Sequence, residues 1–107
     1  MMGNDVWTER QRRSKQLFGQ KHRLDIMLAI AEADDGIVNP TDLSFSLELA
    51  QSALQAPLKD LTDAKLLRKS RHEGRNRYER VDSQIWNWVK DYAAEVADDE
   101  KRPVRVV

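Results

Sequence analysis

The strongest constraint in this sequence is a double change of hydrophobic period between Asn39 and Val81. From Pro40 to Lys65, apolar side chains recur at three- and four-residue intervals: Leu43 and Leu47, then Leu54, Leu58 and Leu61. That is helical spacing in two pieces. The Glu48-Leu49 step between them is too short for anything but a turn. Beyond Leu66 the helical period stops. Leu66–Ser70 and Arg77–Val81 flank a polar stretch, 71–76, that contains Gly74. This reads as a β-hairpin with a long, basic tip. Two short helices joined by a tight turn suggest a helix-turn-helix, and a hairpin directly after the second suggests a wing beside it.

The flanks complete the order of elements. Residues 5–18 read as a helix carrying Trp7, Leu17 and Phe18, with Gly19 as a possible break. Over residues 20–34, Leu24, Met27, Leu28 and Ala31 mark one face of a second helix, which Asp34-Asp35-Gly36 ends. Ile37-Val38 is a short β-branched pair. Asn39 supplies a side-chain cap and Pro40 a first-turn proline, so a helix starts there. The next helix begins at Ala50 or Gln51 and ends near Ala64-Lys65. Asp82 or Ser83 can cap the last helix, whose apolar face is Ile85, Trp88, Val89, Tyr92, Ala93 and Val96. The expected fold is mostly α with a small β-hairpin: a three-helix core plus wing, with extra N- and C-terminal helices. A chain of 107 residues suits one such domain. The expected division is a helical extension over 1–19, the domain over 20–97, and a charged tail over 98–107, broken by Pro103 and expected to be disordered.

Charge is sorted along the chain. Eighteen basic and eighteen acidic residues cancel, yet residues 5–23 carry +4, 24–65 carry −6, 66–81 carry +4 and 82–107 carry −2. Sorted charge sets up local fields even when the sum vanishes. The absence of cysteine excludes disulfides, thiolate metal sites and a cysteine nucleophile. His22 and His72 are too few for an all-histidine zinc site, so no metal or other cofactor is expected. No glycine-rich phosphate loop, His-Glu-x-x-His or G-x-S-x-G motif is present, which argues against an enzyme. No stretch is apolar enough for a transmembrane helix or a secretory leader, and a cytoplasmic protein is expected.

From Asn39-Pro40-Thr41-Asp42-Leu43 through Gln51-Ser52-Ala53-Leu54-Gln55 to Ala64-Lys65-Leu66-Leu67, and on into Arg68–Tyr78, the chain resembles the winged helix-turn-helix regulators of the ArsR/MarR kind. The resemblance covers roughly residues 20–96. It implies a sequence-specific binder of double-stranded DNA that regulates transcription, with the helix at about 50–64 in the major groove and the wing, 66–81, on backbone or minor groove. Gln51 and Gln55 lie one turn apart, and each amide suits adenine N6 and N7. Ser52 suits a phosphate or a base edge, and Ala56 and Pro57 a thymine methyl. Lys59, Arg68, Lys69, Arg71, Arg75 and Arg77 are the expected backbone and wing contacts, with Arg80 a further candidate for a flanking phosphate. Pro57 removes a hydrogen bond to the Ala53 carbonyl. Either the helix is kinked there or it begins late, near Ala56.

The ends carry more apolar surface than a small core needs. In the resembling family the first and last helices pair across a two-fold axis. Trp7, Leu17, Phe18, Trp86 and Tyr92 are therefore the expected homodimer contacts; the other arrangement folds helix 5–18 over its own core. Arg10, Arg12, Arg13 and Lys15 then lie beside DNA or on a solvated helix face. Cysteine-based sensing is excluded and the sequence names no effector. Winged helices also serve as protein-interaction modules, and zero net charge, Pro57 and the tryptophan-rich ends fit that second reading.

Overall fold

The computed structural model describes residues 6–101, and the expected ends of the chain beyond them, 1–5 and 102–107, lie outside the described residues. The helices are α1 (Glu9–Phe18), α2 (Arg23–Glu32), α3 (Pro40–Leu47), α4 (Ser52–Asp63) and α5 (Gln84–Lys101). The strands are β1 (Ile37–Val38), β2 (Leu67–His72) and β3 (Arg75–Arg80), antiparallel in the order β1-β3-β2.

Local chemistry sets the boundaries. Thr8 and Gln11 close a reciprocal capping box on α1, and Gly19, at φ 76°, ends it. The α1–α2 turn is closed by the buried Ser14 hydroxyl. It donates to the Gln20 carbonyl at 2.6 Å and accepts the Leu24 N–H at 2.9 Å. As the sequence suggests, Asn39 caps α3: its Oδ1 accepts the Asp42 N–H at 2.8 Å. Glu48 ends α3 in the left-handed region, so the chain reverses within the few residues before α4.

The core is built around α2, against which α1, α3, α4 and α5 all pack. This explains a departure from the single-face pattern. Ile26 and Ile30 are fully buried alongside Leu24, Met27 and Ala31, whereas Leu28 is only partly covered. A helix surrounded on several sides has no solvent face to keep polar. Val38, Leu43, Leu54, Leu58, Leu61, Leu67, Tyr78, Trp86 and Val89 complete the core cluster.

Two expected boundaries move. The wing's strands pair out to Arg71 with Asn76 and His72 with Arg75, leaving only Glu73-Gly74 as the turn. Both turn residues have positive φ, 53° and 79°. That is the mirror-image type I′ geometry which fits strand twist, and glycine takes its second position at no steric cost. The long tip expected over 71–76 is therefore a tight reversal. At the other end, Asp98, Asp99, Glu100 and Lys101 continue α5 rather than beginning a tail at 98. Arg13 of α1 holds Asp99 at 2.8 Å, a tertiary contact that helical spacing alone does not reveal.

Candidate nucleic-acid interface

The side chains of α4 divide cleanly. Leu54, Pro57, Leu58 and Leu61 are buried; Gln51, Ser52, Gln55, Ala56 and Lys59 are exposed. The i, i+4 relation stacks Gln51, Gln55 and Lys59 in one row and Ser52 and Ala56 in another. Gln51 occupies the N-cap but makes no capping hydrogen bond with its side chain. The helix begins at Ser52 and continues through Pro57, which removes the late-start alternative near Ala56. Pro57 belongs to the buried side, so it is not placed for a thymine methyl. Lys59 is engaged: its ammonium donates to Asp63 at 2.7 Å, which raises its pKa, with a smaller contribution from Asp60.

Register sorts the wing cations by face. Arg68 lies opposite Glu79, Ser70 opposite Arg77, and His72 opposite Arg75. Because side chains alternate across a strand, these six share one face, and Lys69, Arg71 and Asn76 share the other with Leu67 and Tyr78. Arg68 is paired with Glu79 at 3.1 Å, and Arg71 donates to the Gly74 carbonyl at 2.7 Å. Lys69, Arg75 and Arg77 make no ion pair among the described residues. Arg75 and Arg77 line a cleft with Asn39, His72, Glu73 and Asn76 between the start of α3 and the wing. Sequence reading gives Asn39 only a capping role. Its place across from the wing depends on β1 pairing with β3, which local pattern does not disclose.

One wing cation is spoken for. Arg80 sends a single guanidinium nitrogen to the carbonyls of Ile30, Ala31 and Ala33. It closes the C-terminus of α2 and, contrary to the expectation from sequence, is not placed for a flanking phosphate.

The expected pairing residues also separate. Trp86 is only 4% exposed and its indole N–H donates to the Val81 carbonyl at 2.9 Å, so it is a core residue rather than an interface residue. Two positions on, Trp88 is 41% exposed and stacks on Tyr92, with ring centroids 5.2 Å apart and an interplanar angle of 4°. Leu17 is 52% exposed, while Phe18 and Tyr92 pack partly against the chain's own core. The Lys21 ammonium sits 4.7 Å from the centroid of the Trp7 ring. Helix α1 packs on α2 and α5 of its own chain and still leaves this apolar surface open. Arg10 pairs with Asp25, Arg12 and Arg13 with Glu9, and Arg13 also with Asp99. The Glu9 carboxyl is held below its ordinary pKa, most strongly by Arg13 and then by Arg12.

Comparison with solved structures resolves the architecture. The AntR antimony-specific transcriptional repressor superposes with a TM-score of 0.66 at 20% identity, covering 95% of this chain and 94% of that one. The chain is a winged helix-turn-helix. The transcriptional regulator BldR from Sulfolobus solfataricus matches this winged helix with a TM-score of 0.68 at 18% identity, over 92% of this chain and 73% of that one. A MarR family transcriptional regulator from Streptomyces coelicolor, solved in complex with DNA, gives 0.64 at 15% identity, over 84% and 58%. No protein-family model matches the sequence, and no curated protein matches it either. No described helix is long and apolar enough to cross a membrane.

Proposed function

We propose that this winged helix is a homodimeric, sequence-specific double-stranded DNA-binding regulator of transcription, acting in the cytoplasm and not as an enzyme. The observation that carries the reading is the polar outward side of α4, with Gln51, Ser52 and Gln55, backed by a leucine row and flanked by a cationic hairpin. A free glutamine amide offers the donor–acceptor pair that adenine presents in the major groove, and each such bidentate contact discriminates by about 1–3 kcal/mol. Arg75, Arg77 and Lys69, without intramolecular ion pairs among the described residues, are the cations free to meet phosphates or a narrow minor groove. Arg68, Arg71 and Lys59 would have to exchange existing partners to do so. The repressor and regulator names of the structural neighbours agree with this assignment. Pairing through Leu17, Trp88 and Tyr92, with Trp7 and Phe18 at its edge, would set two α4 helices about one turn of DNA apart.

Selection of bound duplexes from a random DNA pool tests the proposal. The expected product is an inverted repeat whose half-sites are centred about 10 base pairs apart. A pool that shows no enrichment at low salt overturns it.

A further inference from the structure

The helix-turn-helix carries one strongly exposed large apolar side chain. Phe45, on α3, is 88% exposed and lies on a groove of about 360 Å³ whose other walls are Ala29, Ile37, Val38, Asp42, Leu43 and Ser46. An isolated exposed phenylalanine needs no explanation; one that continues an apolar groove between a helix and the short edge strand β1 is a candidate contact surface. The charge around it is distinctive. Asp42 lines the groove and Asp35 is bonded to the N–H of its wall residue Ile37; both are exposed and neither forms an ion pair among the described residues. Asp35 accepts the Ile37 N–H at 3.0 Å and Asp42 the Asn39 amide at 2.9 Å, which fixes both carboxylates beside the groove. Of the cations on the adjoining strand, Arg80 is turned onto the carbonyls of Ile30, Ala31 and Ala33, and Arg77 lines the separate cleft beyond Asn39.

We propose that this groove is a docking site for a cationic peptide segment of a protein partner. The segment seats an aliphatic or aromatic side chain against Phe45 and sets its lysines or arginines on the carboxylates of the rim. A phosphate backbone is disfavoured there, because the Asp35 and Asp42 carboxylates repel it. A two-fold contact between copies is disfavoured too, because it would press this acidic rim against itself. The surface is distinct from the α4 row and the wing cations, so the inference does not rest on the DNA-binding proposal.

The test is selection of random peptides displayed on phage against the immobilised full chain, with a Phe45→Ser chain as the counter-target. Phe45 is so exposed that the substitution leaves the fold intact, which a thermal melt verifies. The expected winners bracket an apolar residue with Lys or Arg. A synthetic winner shifts the backbone amide resonances of Ile37, Val38, Phe45 and Ser46, and Phe45→Ser weakens it about tenfold. Asp35→Asn with Asp42→Asn weakens it as well, and DNA affinity stays within about twofold in both variants because neither touches a phosphate contact. Acidic or uncharged winners, or no enrichment over the Phe45→Ser chain, overturn the proposal. So do amide shifts confined to α4 or to the Leu17–Trp88 surface. Self-association that depends on Phe45 identifies a second copy as the occupant, and a parallel loss of DNA affinity assigns Phe45 to the DNA interface; either result overturns it.

Discussion

One guanidinium nitrogen of Arg80 lies 2.8 Å from the Ile30 carbonyl, joining the base of the wing to the C-terminus of the central helix. The same nitrogen is 3.0 Å from the carbonyls of Ala31 and Ala33, and the Arg80 N–H donates to Gly36 at 2.7 Å. A cation here meets the negative end of the α2 dipole and gives a further donor to carbonyls at its C-terminus, of which Ile30 and Ala33 also accept the Ala33 and Gly36 N–H groups. Gly36 fits because its φ of 74° is in the left-handed region that side chains rarely adopt. Replacing Arg80 with methionine keeps the aliphatic stem and removes the donors. The expected loss is about 2–3 kcal/mol in urea unfolding, with Arg80→Lys recovering part of it. A loss within experimental error would remove the strut from this account.

The free wing cations lead to a different signature. Arg75→Ala with Arg77→Ala removes two phosphate or minor-groove contacts without disturbing an ion pair. Affinity should fall on all duplexes, and the slope of log K against log salt should flatten by about 2 per subunit. Gln55→Ala should leave that slope unchanged and relax base preference at one position of each half-site. Fluorescence anisotropy across a salt series separates the two behaviours. Equal salt slopes for the wild type and the arginine double variant would contradict the placement of those side chains on DNA.

How much of this was legible beforehand depends on range. The α3–turn–α4 segment is written locally: a capping asparagine, a first-turn proline, leucines at helical spacing. So is the exposed side with Gln51, Ser52 and Gln55, because the leucines fix which side of α4 is inward. Long-range events were not legible. Nothing near Arg80 in sequence announces three carbonyls about fifty residues away, so it reads like its cationic neighbours. His72 and Arg75 carry no β-branched or aromatic signal, so the strands read short, although backbone pairing continues to the turn. The extra length of α5 is tied to α1 through Arg13 and Asp99, far apart in the chain.

Acid should loosen the packing of α1 before the core. Glu9 binds Arg12 and Arg13 at 3.0 Å each, and both interactions lower its pKa. A depressed folded-state pKa means that the associated stability is present above the unfolded carboxylate value and is lost as pH falls through the folded one. The loss should therefore occur below about pH 4.3. Trp7, beside the start of α1, is one reporter: amide exchange across α1 should rise in that range while α2 stays protected. Glu9→Gln should abolish the pH-dependent part. Acid-induced exposure of α2 ahead of α1 would contradict this order.

Trp86 and Trp88 provide the sharpest contrast, because two neighbouring tryptophans on α5 serve opposite ends. Trp86 fills the core and satisfies its indole N–H on Val81, so Trp86→Ala should cost about 3–5 kcal/mol and threaten the fold itself. Trp88 stacks on Tyr92 at the surface, where its removal opens no cavity. Trp88→Glu with Leu17→Glu should leave the melting temperature nearly unchanged and place charges in any contact between copies. Sedimentation should then show a dimer for the wild type and a 12.4 kDa monomer for the double variant. The monomer should retain weak binding to a single half-site and lose the gain from linking two sites, a drop of about a hundredfold or more on the full repeat. A wild-type chain that stays monomeric while gripping one repeat tightly would rule out this surface as the pairing face.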